Sequence, residues 1–478
     1  MKKYVMSEVA EAVFKTVGLA DDLEIEYLSA IEGRAGSIKK CIGLLSEIRA
    51  LQDRIPFALD DLPDMMIGFF KAHDADGQAL NGNDLAGFRP IAEGFVNLCR
   101  NGYLDYFNDL SDGGLSEVMI QDRADRDRDR HALLIYLVSP FMDNISIKGH
   151  TNAADAISIA EVLDGIGYSV DVINPWYKGD IDYDRYDLVI GFRKAFEDML
   201  PHLRNDCIKI CYLTTMNSYV ANMAELKRVN DFYDRNGIRP AFRRLEYSCM
   251  DLERMAMCDA AICLGNGHTL STYGGMFKKI YPQNVSGFPI SISRDKETGR
   301  DFMWYGGAGS LHKGVDLCIE AFRELPDCNL HIVGAMDDDI YEYYREELEK
   351  SPNVFYHGFM YHDDGAFEEV CRKCAFSVGL SCSESQSTAM ITSIFAGMIP
   401  VCVDETGIDT EEYGGIRIGS TDIPDLIKQL SSIAKMSEEE IERRRQTGLK
   451  KVNMLHTPES YREQLKDNIE KVERDTKW

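Results

Sequence analysis

The sequence has no long apolar run, and this absence excludes a membrane-spanning helix. None of its hydrophobic stretches approaches the about 18 residues that cross a bilayer. Residues 1–19 also lack the apolar core of a secretory signal, because Glu8 and Glu11 interrupt them. We therefore expect a cytoplasmic protein without a transmembrane segment, and leave peripheral attachment to a membrane open.

Positive charge is scarce as well. The 478 residues carry 53 Lys and Arg against 79 Asp and Glu, which gives a formal charge of -26. This balance opposes attraction to nucleic acid and to anionic lipid. Nucleic acid is therefore not an expected partner.

The cysteines do not form a disulfide pattern. There are 13, an odd number, and many lie inside apolar runs, which is typical of reduced, buried thiols. Cys371 and Cys374 form a CxxC within a predicted helix, residues 366–374, without a second pair nearby. We expect neither zinc nor redox chemistry there.

No other metal site is predicted. Residues 73–77 are similar to part of a calcium loop, but Ala72 and Asn83 would then occupy positions that supply the first and last ligands. A polar turn between helices explains them better. The acidic run at 337–339 is interpreted as an exposed turn.

The chain changes character near residue 122. Residues 1–121 show amphipathic helical patterns, including 37–51, 62–72 and 89–100, and no convincing strand. They predict an all-helical accessory domain that could mediate oligomerisation, bind a protein partner or present a substrate. The alternating charges at residues 122–131 predict a linker.

Strand and helix patterns alternate from residue 132 onwards. One series occupies residues 132–290 and a second occupies 300–455, followed by a C-terminal helix in 456–478. Such alternation predicts parallel sheets covered by helices on both faces. We expect an α/β protein with two doubly wound, Rossmann-like domains that face a cleft.

The second series opens on a glycine-rich turn, WYGGAGSLHKG. Gly307 and Gly309 allow close backbone approach, and Lys313, just before a helix starting near Val315, can neutralise a phosphate. The alternative is a tight turn with an exposed lysine. The spacing does not match a P-loop. It does not match the dinucleotide-binding fingerprint GxGxxG either, which counts against a dehydrogenase.

A strand, a polar loop and a helix follow one another at residues 376–396. Ser387 can cap the helix, Gly397 can end it, and a loop at the carboxyl end of a parallel strand is a natural phosphate site. Glu384 lies in that loop. Because a carboxylate does not hold an anion, we expect Glu384 to accept hydrogen bonds from hydroxyl groups.

These motifs together resemble a known family. In order and spacing, GGAGSLHKGVDLCIEAF, LHIVG, VFYHGF and SESQSTAMITSIFAGMIPV resemble the C-terminal half of retaining GT-B glycosyltransferases of family four (group 1). KGHTNAADAISIAEVLDGIGYSVDVIN resembles the acceptor-side opening of the same fold, so the resemblance covers about residues 132–470.

The resemblance implies a retaining, hexosyltransferase-type enzyme of polysaccharide biosynthesis. Its donor would be a nucleotide-diphosphate sugar, with no further cofactor and no metal. The acceptor would be a hydroxyl of a glycan, a lipid-linked glycan or another molecule. Non-catalytic binding in a polysaccharide assembly, and another GT-B chemistry such as epimerisation of a nucleotide sugar, remain alternatives.

Residue roles follow from the same resemblance. Lys313 would contact the donor diphosphate and Glu384 the hydroxyls of the donor sugar. Ser387 and Thr388 would offer helix N-terminal amides to the phosphates.

The first domain supplies two further candidates. Gly149 would lie where donor and acceptor sugars meet, and His150 would contact the sugar or the leaving group. A capping or packed histidine is the alternative for His150. Trp176 and Trp304 are equally consistent with core packing and with sugar stacking.

Two positions depart from the family pattern. Ala308 stands about where a second phosphate-binding arginine is common, and Thr392 where a ribose-binding glutamate is common. Thr392 lies outside the apolar stripe of its helix, so we expect it to face the polar side and keep a weaker role in nucleotide binding.

Overall fold

The computed structural model describes residues 118–121, 128–141, 151–246, 251–292, 299–362 and 364–476, together with residues 36–51 and parts of 15–30 and 63–71. The chain divides into two compact units, Met1–Glu117 and Val118–Trp478.

The first unit is helical wherever it is described, apart from a turn at Gly36. Helix α1 (Ser37–Leu51) buries Cys41, Leu45 and Ile48, which recur every three or four residues and so share one face. That face belongs to a core containing Tyr27 and Phe70. The predicted helical character is confirmed, while the turn at 73–77 and the helix at 89–100 lie outside the described residues.

The first sheet of the second unit has seven strands in the order β1-β3-β2-β4-β5-β6-β7, and β1 alone is antiparallel. Strands β2 to β6 are buried almost throughout. Helices cover both faces, which explains their nearly continuous apolar sequences. The strands are β1 Met119–Ile120, β2 His131–Ile135, β3 Ser169–Ile173, β4 Leu188–Gly191, β5 Ile208–Leu213, β6 Ala260–Leu264 and β7 Ile280–Gln283.

The second sheet has six parallel strands in the order β10-β9-β8-β11-β12-β13. The chain adds β9 and β10 on one side of β8 and then crosses to the other side of β8 to form β11. The strand order therefore reverses between β8 and β11. The strands are β8 Asp301–Tyr305, β9 Leu330–Val333, β10 Val354–Gly358, β11 Cys374–Gly379, β12 Ile399–Cys402 and β13 Ile416–Arg417. The predicted pair of doubly wound domains is confirmed.

Helices follow the strands of both sheets. In the first domain they are α2 Thr151–Gly165, α3 Arg193–Met199, α4 Ser218–Asn236, α5 Leu252–Met255 and α6 Gly267–Ser271. In the second they are α7 Val315–Arg323, α8 Asp338–Lys350, α9 Gly365–Lys373, α10 Thr388–Phe395, α11 Ile423–Ile433 and α12 Glu438–Leu455, and α13 Pro458–Thr476 ends the described chain.

Helix α4 connects the two domains. It follows a strand of the first sheet, yet Phe232 lies in the core of the second domain, edge-on to Tyr344. Near the end of α4, Arg235 forms ion pairs with Asp316 and Glu320 of α7. Breaking so buried a pair leaves an uncompensated charge, so these contacts hold α4 against the second domain.

Helix α13 returns to the first domain. The hydroxyl of Tyr461 lies 2.6 Å from that of Tyr212, and Gln283 donates to the Tyr461 carbonyl at 3.1 Å. The two domains are therefore linked at both α4 and α13.

Three local features differ from the sequence patterns. Met119–Ile120 form a strand, so the expectation that residues 1–121 contain none is wrong. Ile280–Gln283 form an edge strand without an apolar run, since only Gln283 is buried. Cys374 begins β11 and does not end the preceding helix, because α9 stops at Lys373.

Candidate active site

Two loops meet at the carboxyl ends of the neighbouring strands β8 and β11. We call residues 306–314 the glycine-rich turn and residues 381–387 the serine-rich loop. The Cys382 amide donates to the His312 carbonyl at 2.9 Å and joins them. In open parallel sheets, ligands bind where the strand order reverses, outside the carboxyl ends of the strands.

The glycine-rich turn is held by an aspartate from the next loop. Asp337 accepts from the Gly309 and Ser310 amides at 3.0 and 2.7 Å and from the Ser310 hydroxyl at 2.9 Å. Asp337 is therefore a structural part of the site, and the interpretation of 337–339 as simply an exposed turn is wrong. Gly309 has a φ of 77°, a conformation that favours glycine.

Lys313 and Glu384 form an ion pair, Nζ to Oε1, across the two loops. Their side chains are 20% and 13% exposed. Burial alone would raise the pKa of Glu384, but the positive charges of Lys313, Arg244 and His312 outweigh it and lower the pKa to about 2. Glu384 is therefore a carboxylate at neutral pH, ready to accept hydrogen bonds from hydroxyls.

The remaining predicted turn residues lie beside this pair. A Cβ added to Gly307 would meet no atom within 4 Å, so open space borders its backbone. Ala308 is exposed and brings no charge. Trp304 is 1% exposed and its indole donates to the Lys313 carbonyl at 3.1 Å, which identifies it as a core residue.

Helix α10 begins at the serine-rich loop as predicted. The Ser387 hydroxyl caps it by accepting from the Met390 amide at 3.3 Å. The Ser387 amide, however, donates to the Thr406 carbonyl at 3.1 Å, so it cannot be offered to a phosphate. Thr388 is half-buried and is the first residue of the helix. Its backbone amide therefore lies at the helix N-terminus, where amides have no acceptor within the helix.

Thr392 does not face a polar surface, and that expectation is wrong. It is 1% exposed, and its hydroxyl has no hydrogen-bond partner among the described residues. The whole second turn of α10 is covered, because the helix is packed between its sheet and α12. In this arrangement the Thr392 hydroxyl is not accessible to a nucleotide.

His312 of the glycine-rich turn and two charged residues from outside the sequence motifs, Glu225 and Arg244, complete the site. His312 is 3% exposed; its Nδ1 lies 2.7 Å from Glu225 Oε2 and its Nε2 lies 2.6 Å from the Ser383 carbonyl. Arg244 lies over the glycine-rich turn. Glu225 and Arg244 come from α4 and the segment after it, remote in sequence from both loops, so no local pattern indicates them.

Glu225, His312 and Cys382 place possible metal-ligand atoms within 4.8 Å of one another. Both ring nitrogens of His312 already have hydrogen-bond partners. Burial would lower the pKa of His312, but hydrogen bonds to Cys382 and Glu225 outweigh it and raise the pKa to about 9. His312 is therefore a protonated imidazole that forms a buried ion pair with Glu225.

Two predicted residues cannot be placed. Gly149 and His150 lie outside the described residues. Trp176 is half-buried at the carboxyl edge of the first sheet, with the Arg193 guanidinium 5.1 Å from its ring centre.

Comparison with known proteins identifies the domain that carries this site. Residues 290–448, about a third of the chain, match the family model described as Glycosyl transferases group 1. This part of the chain is a group 1 glycosyltransferase domain, as its motifs predicted. A search of curated proteins returned no match.

Solved structures are similar to this chain at low sequence identity. A sucrose-phosphate synthase from Thermosynechococcus elongatus is 12% identical, with a TM-score of 0.51 over 72% of this chain and 100% of that one. WaaG, a glycosyltransferase involved in lipopolysaccharide biosynthesis, is 16% identical, with a TM-score of 0.47 over 71% and 99%. The likeness to the sucrose-phosphate synthase shows that the two parallel-sheet domains form a GT-B fold. Among the described helices, none combines the length and apolar character needed to cross a membrane.

Proposed function

We propose that this protein transfers a sugar from a nucleotide-diphosphate sugar to a hydroxyl acceptor with retention of configuration. The observation that carries the proposal is the Lys313–Glu384 pair, which lies at the reversal of strand order in a group 1 glycosyltransferase domain. A cation for the diphosphate and a carboxylate for sugar hydroxyls are there side by side.

Lys313 and Glu384 would bind different parts of the donor. Lys313 holds the diphosphate oxygens, on which negative charge grows as the bond to the anomeric carbon breaks. Glu384 accepts hydrogen bonds from the sugar hydroxyls and orients the ring. The Thr388 amide adds a donor at the start of α10.

The acceptor would attack from the face that the diphosphate leaves. Its oxygen forms the new bond to the anomeric carbon while its proton passes to the departing diphosphate, and the configuration is retained. Glu384 is engaged by Lys313, so we assign it to donor binding and not to a covalent intermediate. Gly149 and His150 remain predicted contributors from the first domain.

A donor screen tests the proposal. The full chain is incubated with a panel of nucleotide-diphosphate sugars, first alone and then with glycans and lipid-linked glycans from lysate, and products are followed by mass spectrometry. We expect one donor to be consumed only when an acceptor is present. Binding without transfer would instead indicate a binding subunit, and a changed sugar without acceptor would indicate epimerisation.

Variants of the pair provide the second test. Lys313→Ala removes a transition-state contact and should lower kcat/KM by about 100- to 1000-fold, and Glu384→Ala should act similarly. Glu346 and Lys350 form a matched but exposed pair on α8, and their alanine variants should retain wild-type turnover. Wild-type turnover in Glu384→Ala would contradict the assignment.

A further inference from the structure

The Lys313–Glu384 pair leaves the proposed donor site with too little positive charge to bind a diphosphate. Lys313 is the lysine of the glycine-rich turn, and its charge is balanced by Glu384. A diphosphate carries more than one negative charge, and Glu384 would repel it. A site for a diphosphate therefore needs a further cation close to these two residues.

Arg244 lies in the required place. A Cβ built on Gly309 would come within 2.7 Å of its Cγ and 2.8 Å of its Cδ, so the aliphatic part of Arg244 rests on the glycine-rich turn. Its charge is close enough to help lower the pKa of Glu384. Arg244 is exposed, and within the described ranges its guanidinium has no hydrogen bond or ion pair.

The backbone of Arg244 is fixed by a buried carboxylate. Oε1 of Glu225 accepts from the Arg243 and Arg244 amides at 3.0 and 3.2 Å, while its Oε2 pairs with His312. Glu225 therefore ties the segment after α4 directly to the glycine-rich turn. The side chain of Arg243 differs, since it reaches Asp339 at 3.4 Å.

We propose that Arg244 is a second cation of the donor site and contacts the diphosphate together with Lys313. The inference rests on the proposed function and adds a specific residue to it. A guanidinium presents several N–H groups in a plane and suits two phosphate oxygens at once. Because Arg244 follows α4, donor binding also depends on the seating of α4 against the second domain.

Calorimetry with nucleoside diphosphates tests this role. The wild-type protein is titrated with a panel of nucleoside diphosphates, and the tightest one is compared with its monophosphate and its nucleoside. Losing one charge-assisted contact should weaken the diphosphate about 10- to 100-fold in Arg244→Gln. Affinity for the nucleoside should not change, and Arg244→Lys should recover part of the loss.

Arg243→Gln is the matched control, because it removes the same charge from the neighbouring residue. It should bind the diphosphate like the wild type. Equal affinities in Arg244→Gln and Arg243→Gln would overturn the role of Arg244 while leaving the proposed function intact. If the wild type binds no nucleoside diphosphate, the proposed function fails, and this inference fails with it.

Discussion

The wild-type protein should lose stability at alkaline pH, and replacing His312 with glutamine should abolish that loss. His312 is buried between Glu225 and the Ser383 carbonyl. Burial lowers its pKa, but hydrogen bonds to Cys382 and Glu225 outweigh this and raise it to about 9. The folded protein therefore holds a proton on His312 that the unfolded chain releases near its ordinary pKa of 6.5.

The sign and size of the effect follow from proton linkage. A folded-state pKa above the unfolded value means that protonation stabilises the fold. The contribution is complete below about pH 6.5 and is lost as the pH rises through about 9. At about 1.4 kcal/mol for each pKa unit, the full contribution is about 3 kcal/mol. Between about pH 7 and about pH 9.5, a loss of about 2 kcal/mol is expected.

Urea unfolding followed by Trp304 fluorescence measures this loss. Trp304 is buried in the second domain and donates to the Lys313 carbonyl, so its emission reports on that domain. Trp176→Phe and Trp478→Phe remove the other two tryptophans. The free energy of unfolding is compared at the two pH values in this background, with and without His312→Gln.

The difference between the two proteins isolates His312 from other groups that titrate in this range. His202 is exposed, and His202→Gln should keep the wild-type pH dependence. Glu225→Gln, which removes the partner charge, should behave like His312→Gln. If His312→Gln lost as much stability as its parent between the two pH values, His312 would be neutral in the folded protein and the reasoning would be refuted.

Three further substitutions test the site by calorimetry with a nucleoside diphosphate and by urea unfolding. Gly309→Ala places a Cβ against Arg244 at a φ of 77°; it should cost about 1–2 kcal/mol of stability and weaken binding. Gly307→Ala, whose Cβ meets open space, should leave the stability unchanged. Asp337→Ala leaves two backbone amides without their acceptor and should lower the free energy of unfolding by about 1–3 kcal/mol; an unchanged value would contradict its structural role. Thr392→Val removes a buried hydroxyl without a partner among the described residues, so stability should hold or rise and affinity should not change; weaker binding would show that this hydroxyl reaches the nucleotide.

Local sequence patterns predicted much of the fold. Buried parallel strands produce apolar runs, so β8 and β11 could be recognised, whereas the edge strand β7 could not because only one of its residues is buried. The cap of α10 was also local, since Ser387 bonds an amide three residues away. The hydrogen bond that the Ser387 amide donates could not be predicted locally, because its acceptor, the Thr406 carbonyl, follows the next strand.

The burial of Thr392 shows the same limit. The apolar stripe of α10 indicates which face meets the sheet, but α12 covers the opposite face and comes from much later in the chain. Periodicity within one helix describes its contact with one neighbour only. A second covering element removes the distinction between the apolar and polar faces.

The sequence by itself determined the two doubly wound domains, the loops after β8 and β11, and Lys313 and Glu384 as the residues most suited to a phosphate and to hydroxyls. Only the tertiary structure decided that Lys313 and Glu384 are joined as an ion pair, that Glu225 and His312 connect the domains, and that Arg244 lies over Gly309. The reason is physical. Strands, helices and turns follow from hydrophobic periodicity and backbone preferences among near neighbours, whereas the electrostatics of a site depends on distances between charges that folding brings together from remote segments.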